Sequence, residues 1–255
     1  MDLRVIEWLL KEKYGLRESL HDPDSWPQEM SEDLKRIEKQ EPLAYVIGFV
    51  HFLDCLIDLR FRPLIPRVET EFWTGLLIDR FKSKKQSISC LDLFAGSGCI
   101  GIAILRHLPY AEVDFADNSK DCLEQIKLNL SLNKISSDRF RLIQTDIFEG
   151  ITDQYDLITA NPPYIGEESF DQLPDSVKCY EPASALISKD DGLYLIKRFL
   201  KAVPKYLKKD GSFWLEFDST QKEKITEIIN PEFQYYFGQD QYEQWRFLIA
   251  QKNFD

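Results

Sequence analysis

The sequence predicts an α/β fold built on a mostly parallel sheet. Residues 88–105 combine a strand, a tight glycine turn and the start of a helix. Residues 155–160 form a short apolar run that is followed by Asn161, and residues 112–117 are predicted to form a further strand that ends in Asp117. Such runs are typical of buried parallel strands, because helices cover both faces of a parallel sheet. Ligands bind at the carboxyl ends of these strands, so the polar residues there are the candidate site.

Composition limits the classes of function. The 255 residues fit one large domain, or one domain with a small appendage, and an apolar content of 44% supports a sizeable core. The net charge of −11 disfavours a general nucleic-acid binder, because phosphate contacts need a surplus of Lys and Arg. A local basic groove is compatible with this total. A basic or mixed-charge protein partner fits it more simply.

Cysteine and histidine usage indicates a reduced protein without a metal site. The five cysteines are scattered, with no Cys-x-x-Cys pair, and the chain has only three histidines. Neither a zinc site nor a disulfide framework is therefore expected. The first residues carry acids where a signal or transit peptide needs basic sequence, and no apolar run approaches the roughly 18 residues of a membrane span. We expect a cytoplasmic protein that does not enter a membrane.

The first 43 residues are predicted to form a small helical domain. Apolar residues recur at helical spacing over residues 3–14, and a second, charged helix is predicted over residues 31–40. A region of this size is too short for a core of its own. It must pack against the rest of the chain or against a partner.

A β-hairpin over residues 44–66 is predicted to link this helical domain to a third part, residues 67–255. Two runs rich in strand formers lie within residues 44–61. The helix that follows begins near Glu69 or Thr70. The acids there are also what an ordinary solvated helix N-terminus carries.

The turn after the first sheet strand is a predicted cofactor-binding turn, formed by Phe94, Ala95, Gly96, Ser97 and Gly98. The two glycines let the backbone turn sharply and approach a ligand closely. A lone Gly-x-Gly is a weak signal. The strand before it and the helix after it are the context that a dinucleotide-type site requires.

Two acids end the next two predicted strands. Asp117 ends residues 112–117, about 20 residues after the glycine turn, where a carboxylate accepts hydrogen bonds from ribose hydroxyls. Asp146 follows the strand at residues 140–144, where it would accept from an adenine amino group while Ile147 packs on the ring. Both acids have an alternative role, since Asp is also common as a cap of the next helix or turn.

The remaining elements complete the sheet. The predicted order is a helix at 119–132, an irregular stretch at 165–189, a helix at 191–208 kinked at Pro204, a strand at 212–217, a helix at 219–229 and an antiparallel pair at 233–237 and 245–250.

Asn161, Pro162, Pro163 and Tyr164 follow the buried strand at residues 155–160. Two prolines stop both sheet and helix, which leaves the Asn side chain and nearby carbonyls free at the strand end. The Asn161 side-chain oxygen and the Pro162 carbonyl would hold both N–H bonds of a planar NH2 group, and Tyr164 would wall it in. Such positioning can remove about 7–11 kcal/mol of a barrier without a general base. The alternative is a Pro-rich turn with an Asn cap and a packed Tyr.

Taken together, these motifs resemble the class I methyltransferases that use S-adenosylmethionine. Further stretches resemble the HemK/PrmC family, the protein-glutamine methyltransferases that act on peptide-chain release factors. These stretches are Glu41-Pro42-Leu43-Ala44-Tyr45-Val46-Ile47-Gly48, Ile65-Pro66-Arg67-Val68-Glu69-Thr70-Glu71, Glu181-Pro182-x-x-Ala185-Leu186, and Leu215-Glu216-Phe217 followed by Gln221. The resemblance covers residues from about 41 to the end, and two positions depart from it. The family usually has glycine where Phe94 stands and proline where Val68 stands.

The resemblance implies a Rossmann-like, seven-stranded class I methyltransferase sheet that binds S-adenosylmethionine. In this interpretation Asp92 orients the glycine turn, Asp117 binds the ribose and Asp146 the adenine. The target glutamine amide donates to Asn161 and Pro162, and its nitrogen attacks the sulfonium methyl in line. The implied partner is a release factor, methylated at the glutamine of its Gly-Gly-Gln loop and gripped by residues 1–43. Glu69 and Thr70 are candidate substrate contacts, and the chain is expected to act as a monomer.

Three other interpretations stay open at this point. Asn-Pro-Pro-Tyr also serves exocyclic amines of nucleic acids, and the form around Phe94 resembles some ribosomal-RNA methyltransferases. A flipped base would need stacking and a basic channel, and the acidic total makes stable nucleic-acid binding unexpected. A ribosomal-protein glutamine is a second possible target. A catalytically silent module is the third, although Asn161 is intact.

Overall fold

A seven-stranded mixed sheet forms the centre of the molecule. This computed structural model describes residues 2–16, 26–83 and 86–252. The strands are β1 (Phe49–Phe52), β2 (Cys55–Asp58), β3 (Ile88–Leu93), β4 (Ala111–Asp117), β5 (Phe140–Gln144), β6 (Tyr155–Ala160), β7 (Leu207–Glu216), β8 (Phe233–Gln239) and β9 (Trp245–Lys252). The sheet order is β5-β4-β3-β6-β7-β9-β8, and β1 and β2 form a separate hairpin.

The first five sheet strands are parallel and the last pair is antiparallel. β3 pairs with β4 and β6, and β6 pairs with β7, all in parallel, whereas β9 runs antiparallel to β7 and β8. The expectations of an α/β fold, a buried parallel β6 and a closing antiparallel pair are confirmed. Burial on both faces explains why β3 and β6 are nearly continuous apolar runs.

Ten α-helices surround the sheet or precede it in the described part of the chain. They are α1 (Leu3–Tyr14), α2 (Met30–Glu38), α3 (Leu43–Ile47), α4 (Val68–Lys82), α5 (Cys99–His107), α6 (Lys120–Leu132), α7 (Glu167–Phe170), α8 (Asp175–Lys178), α9 (Tyr194–Ala202) and α10 (Lys222–Ile228). Two large apolar clusters cover the sheet, one containing α4, α5 and α6 side chains and the other α9 and α10 side chains. None of the described helices is long and apolar enough to cross a membrane.

The N-terminal helices have a small apolar cluster of their own, which the sequence did not predict. Leu9 and Leu10 of α1, Met30 of α2 and Val46 of α3 are buried together, apart from the clusters on the sheet. The region also leans on the rest of the chain, because Tyr180 donates from its hydroxyl to the Lys39 carbonyl at 2.8 Å. The division into residues 1–43, 44–66 and 67–255 stays a prediction.

The predicted hairpin is real but shorter at its start. Leu43–Ile47 is a helix instead of a strand, and the hairpin begins at Phe49. Gly48 ends this helix with a φ of 98°. Val46 packs in the N-terminal cluster, while the Tyr45 hydroxyl donates to the Pro63 carbonyl at 2.6 Å. Adjacent residues of this run thus pack against different parts of the structure, and these tertiary contacts override its strand propensity.

The helix predicted over residues 191–208 is also shorter. Asp190, Asp191 and Gly192 have φ values of 59°, 51° and 83°, so helical backbone cannot begin before Tyr194. A 3-10 turn containing Pro204 follows α9, and β7 already begins at Leu207. The stretch at residues 165–189, predicted to be irregular, contains the one-turn helices α7 and α8.

A ladder of side-chain amides joins helix α6 to the hairpin. Asn133 accepts from the Leu56 N–H and donates to the Leu56 carbonyl, at 3.0 and 2.8 Å. Asn129, one turn earlier, makes the same pair of bonds with Asp58, at 2.9 and 3.2 Å. These amides take the place of a neighbouring strand along the edge of β2, so the hairpin is fixed to the sheet domain.

Candidate active site

A cleft of about 310 Å³ opens at the carboxyl ends of the parallel strands. The predicted site residues that line it are Thr70, Phe94, Ala95, Gly96, Ser97, Asp117, Asp146, Ile147, Asn161 and Pro163. These residues come from separate segments of the chain and meet here because parallel strands end at one edge of the sheet. Asp92 and Gly98, the last residue of the glycine turn, are not among the residues that line this cleft.

The glycine turn and Asp117 are joined by a hydrogen bond. Gly96, at a φ of 55°, donates its N–H to Asp117 Oδ2 at 2.9 Å, and Ser119 donates its N–H to Oδ1 at 2.9 Å. The cap of α6 is Ser119, whose hydroxyl accepts from the Cys122 N–H. Burial raises the pKa of Asp117 above its usual value, against the backbone hydrogen bonds that lower it. Asp117 is therefore a carboxylate of the cleft that also fixes the turn.

Asp92 is a buried carboxylate beneath the turn. Its Oδ1 accepts from the Thr159 hydroxyl at 2.9 Å and its Oδ2 from the Gly101 N–H at 3.0 Å. Burial raises the pKa of Asp92 to about 7. A side chain at Gly101 would collide with the Phe115 ring, so only glycine lets α5 approach the sheet this closely. The sequence analysis gave Gly101 no role.

Phe94 adopts left-handed backbone geometry, with a φ of 58°. Glycine takes this conformation without the cost that a Cβ imposes. The position where the resembling family usually has glycine is thus one where the backbone favours glycine. Phe94 keeps the conformation and packs its ring against the apolar cluster on the α9 side of the sheet.

Asp146 and Ile147 lie at the far end of the cleft. The Asp146 carboxylate forms a two-pronged ion pair with Arg198 of α9, with N–O distances of 3.1 and 2.9 Å. Ile147 is buried and has a φ of 57°, which is unusual for a β-branched residue. Arg198 was not predicted as a site residue, because α9 lies more than 50 positions along the chain.

Asn161 is connected to a buried acid by way of Thr70. The Asn161 side-chain nitrogen donates to Thr70 Oγ1 at 3.4 Å, and the Thr70 hydroxyl donates to Glu216 Oε2 at 2.7 Å. Trp73 Nε1 donates to the same Glu216 oxygen at 2.7 Å, and the Tyr164 hydroxyl to Oε1 at 3.0 Å. Glu216 was quoted only as part of a family motif. It ends β7 beside the end of β6, because Leu215 pairs with Ala160.

A second cavity, of about 200 Å³, adjoins the first at Asn161. Its walls are Leu64, Arg67, Asn161, Pro162, Tyr164, Ile165, Leu173, Val177, Ala185 and Leu186. Most of these side chains are apolar, and no carboxylate or imidazole is among the described lining residues. Burial and the nearby Glu216 carboxylate raise the pKa of Tyr164 well above its usual value, so its hydroxyl is neutral at physiological pH.

Arg67 and Glu181 form an ion pair where the two cavities meet. Arg67 lines both, and its guanidinium donates to Glu181 Oε1 at 2.6 Å. The other oxygen of Glu181 accepts from the Ile65 N–H at 3.1 Å. The sequence analysis noted both residues only as parts of family stretches. Their pairing joins positions 114 residues apart and has no local signal.

Glu69 and Thr70, the candidate substrate contacts, are placed differently. Thr70 is buried and lines the cleft beside Asn161. Glu69 is half-buried and is not among the lining residues of either cavity. Its neighbour Glu71 holds the tip of the hairpin, since its carboxylate accepts from the Leu53 N–H at 2.8 Å.

Comparison with known proteins identifies relatives over most of the chain. The family model of the methyltransferase small domain matches residues 69–173. A release factor glutamine methyltransferase of Chlamydia trachomatis serovar D is 33% identical over 217 residues, which are 84% of this chain and 74% of that protein. A ribosomal protein uL3 glutamine methyltransferase of Xanthomonas campestris pv. campestris is 31% identical over 200 residues, 78% of this chain and 64% of that protein.

Solved structures share the fold at low sequence identity. The hMettl16 catalytic domain, in complex with the MAT2A 3′UTR hairpin 6, has a TM-score of 0.60 at 17% identity. The match covers 80% of this chain and 77% of the hMettl16 chain. A ribosomal protein methylase from Lactobacillus delbrueckii subsp. bulgaricus has a TM-score of 0.55 at 19% identity and covers 75% and 82%. These likenesses confirm the predicted class of sheet and carry no information on substrate.

Proposed function

Because the chain belongs to the family of release factor glutamine methyltransferases, we propose that it methylates the glutamine of the Gly-Gly-Gln motif of a peptide-chain release factor. The methyl group comes from S-adenosylmethionine and goes to the side-chain amide nitrogen. The chain is an S-adenosylmethionine-dependent methyltransferase. The observation that carries the proposed acceptor is the second cavity, which meets the cofactor cleft at Asn161.

The cleft has the chemistry that this cofactor needs. S-adenosylmethionine, when bound, supplies an electrophilic methyl group on a sulfonium. Asp117 and the glycine turn are the proposed ribose contacts, and Asp146, Ile147 and Leu195 are the proposed acceptor and apolar walls for the adenine; all of them contribute to the lining of the cleft. The carboxylates also suit a cofactor that carries two positive groups. Asp92 orients the turn from behind through Gly101.

The second cavity suits a neutral amide. An amide nitrogen attacks poorly, because its lone pair is delocalised, and it needs positioning more than a base. Asn161 and the Pro162 carbonyl are the proposed acceptors of its two N–H bonds, and Pro163 and Tyr164 are proposed to shape the site. No described residue of this cavity is a plausible general base at neutral pH, since Arg67 is cationic and the Tyr164 hydroxyl is neutral. Catalysis would then rest on geometry and exclusion of water.

The walls of the second cavity also favour a glutamine over a flipped base. Apart from Tyr164, the described lining residues offer no aromatic ring for stacking, and Arg67 is the one cation. A ribosomal-protein glutamine stays a second candidate, because one relative carries that name. In the proposed role residues 1–43 recognise the protein substrate, the enzyme works as a monomer and the compartment is the cytoplasm. Thr70 would act at the site through Asn161, whereas Glu69 would meet only the outer parts of the substrate.

The test uses methyl-labelled S-adenosylmethionine. We expect label on a bacterial release factor and none on the same factor with the loop Gln→Ala change, on ribosomal protein uL3 or on total ribosomal RNA. Asn161→Ala should lower the rate about a hundredfold or more, as for removal of one positioned hydrogen-bonding group. Asn230→Ala, at a half-buried asparagine before β8 and outside both cavities, is the matched control and should keep the rate. Label on RNA alone would refute the proposal, and label on uL3 alone would move it to the second candidate.

A further inference from the structure

Glu216 is a buried acid that makes no direct contact with either cavity. Its side chain is 1% exposed, and neither cavity has Glu216 among its described walls. Its hydrogen-bond partners are the neutral donors Thr70, Trp73 and Tyr164, and no salt bridge to Glu216 forms within the described ranges. An acid held this way is costly to bury. Helix α4 needs no such acid to pack on β7, because Trp73 already stacks on Trp214.

The donors around Glu216 fix the direction of every hydrogen bond up to Asn161. Trp73 Nε1 can only donate and the ionised Glu216 carboxylate can only accept, so Glu216 Oε2 is the acceptor of both hydrogen bonds that it makes. The Thr70 hydroxyl, 2.7 Å from the same oxygen, must therefore give its single hydrogen to Glu216. Thr70 Oγ1 is left as an acceptor, and the group that donates to it is the Asn161 side-chain NH2.

This order determines which way the Asn161 carboxamide faces. With its NH2 turned toward Thr70, its oxygen is turned away from the buried chain, on a residue that lines both cavities. The opposite rotamer would place the Asn161 oxygen against a Thr70 oxygen that has no hydrogen to give. An asparagine flipped in that way would present an NH2 donor to the substrate in place of the acceptor that a substrate N–H needs.

We propose that Glu216 is a positioning residue that acts through Thr70 to hold the Asn161 oxygen toward the acceptor cavity. The proposal rests on the proposed function, in which that oxygen accepts a hydrogen from the substrate amide. Without the acid, Thr70 is free to donate to the Asn161 oxygen and so competes with the substrate. The role is distinct from simple packing, because it depends on the hydroxyl of Thr70.

A double-mutant cycle tests this role. Glu216→Met keeps the length of the side chain and removes the acceptor, and Thr70→Val removes the hydroxyl that the acceptor orients. We expect Glu216→Met to lower kcat about a hundredfold, as for misplacement of a catalytic group, with the affinity for S-adenosylhomocysteine changed less than threefold. In the Thr70→Val background, itself about tenfold slower, Glu216→Met should lower kcat no further. Thr70→Ser keeps the hydroxyl and should restore most of the Thr70→Val loss.

The control is Tyr155→Phe, which removes a buried hydrogen bond to Asp114 at the opposite end of the sheet. Like Glu216→Met, this variant loses a buried hydrogen bond, but the hydrogen bonds from Glu216 through Thr70 to Asn161 are unchanged. Its kcat should therefore stay within twofold of the wild-type value. The positioning role would be overturned if the effects of Glu216→Met and Thr70→Val on kcat multiply in the double variant. It would also be overturned if Glu216→Met had the same kcat as Tyr155→Phe. A Glu216→Met protein that does not fold leaves the decision to Thr70→Val against Thr70→Ser: equal kcat values overturn the role. If the wild-type protein labels no glutamine, the proposed function fails first and this inference fails with it.

Discussion

At the scale of single residues, Phe94 shows what a motif conceals. The turn was predicted from the sequence, and the resembling family usually has glycine at this position, but the sequence supplies no physical reason for that glycine. The φ of 58° supplies one, since a Cβ in the left-handed region costs about 1–2 kcal/mol. Packing of the Phe94 ring against the apolar cluster offsets part of that cost.

We therefore expect Phe94→Gly to be more stable than Phe94→Ala by about 1 kcal/mol. Both variants lose the ring, and only glycine relieves the backbone. The free energy of unfolding from urea titrations measures the difference. The matched control is Leu132, which is exposed at the end of α6. At this helical position Leu132→Ala should be more stable than Leu132→Gly, because alanine favours a helix more than glycine does. A Phe94→Ala variant as stable as Phe94→Gly would show that the turn is not strained.

Asp117 and Asp146 show the limit of sequence at the same scale. A strand-end acid followed by a helix is equally a ligand and a cap, because both roles need an acceptor at that place. The structure resolves the local alternative for Asp117, since Ser119 caps α6. The partner of Asp146 is Arg198, which only the folded chain brings near. The ligand roles of both acids stay proposals.

At the scale of elements, helix α6 links the hairpin to the glycine turn. Asn129 pairs with Asp58 of β2 and also donates to the Ser97 carbonyl at 3.0 Å. Asn133 pairs with Leu56 alone among the hairpin residues. The sequence predicted the helix from its apolar spacing. It could not predict the amide ladder, because the partners are backbone groups more than 70 positions away.

Asn129→Asp and Asn133→Asp are expected to differ in their effect on the cofactor. Each replaces a donor by an acceptor, and each should lower the free energy of unfolding by about 1–3 kcal/mol. Only Asn129→Asp also removes the donor to Ser97, so it alone should weaken S-adenosylhomocysteine binding, by about tenfold. Calorimetric titration of the two variants measures this. Equal affinities would mean that the hairpin and the cofactor turn are independent.

The element boundaries that sequence reasoning missed have tertiary causes. Leu43–Ile47 is helical because Val46 and Tyr45 are buried in different surroundings. The start of α9 is delayed by left-handed residues at Asp190 and Asp191, which no propensity predicts. The apolar periods that placed β3, β6 and α6 were sufficient, since burial on both faces or one face leaves a clear pattern.

At the scale of the whole molecule, several acids are concentrated at one sheet edge. Asp92, Asp117 and Glu216 lie at the carboxyl ends of β3, β4 and β7, and burial raises the pKa of each. The sequence predicted Asp117 as a strand-end acid, and the family resemblance implied a role for Asp92. Neither revealed that Glu216 adjoins Asn161, because the sheet order places β7 next to β6 although 46 residues separate Ala160 from the start of β7 at Leu207.

The buried Asp92 makes the free protein less stable as pH rises. Its pKa is about 7 in the folded state, against its ordinary value of 3.8, so between these two pH values the folded protein binds a proton that the unfolded chain has lost. The contribution of Asp92 to the free energy of unfolding is fully present below the unfolded pKa. It is lost as pH rises through about 7, by an amount on the order of 2–4 kcal/mol. Asp117 and Glu216 act in the same direction.

Urea unfolding of the cofactor-free protein at pH 5 and pH 8 checks this expectation. The wild-type protein should have the lower free energy of unfolding at pH 8, and Asp92→Asn should be less stable at pH 5 but show a smaller difference between the two values. Acids whose pKa is lowered by hydrogen bonds and ion pairs finish titrating below this window and do not contribute; Asp156, which accepts from the Ser89 N–H and lies beside Lys208, is one of them. Equal free energies of unfolding of the wild-type protein at pH 5 and pH 8 would mean that Asp92 is ionised in the folded protein at both, and would contradict this expectation.

The separation of the two cavities has a consequence for how such enzymes diverge. The cofactor cleft draws carboxylates from the ends of β4 and β5 and the turn after β3, whereas the walls that belong to the second cavity alone are Pro162, Tyr164, Ile165, Leu173, Val177 and Leu186. In the proposed role of the second cavity, substitutions at these walls change the choice of protein target and leave the cofactor cleft unchanged. One ancestral sheet can in this way give rise to lineages that modify different proteins of the same cellular machine.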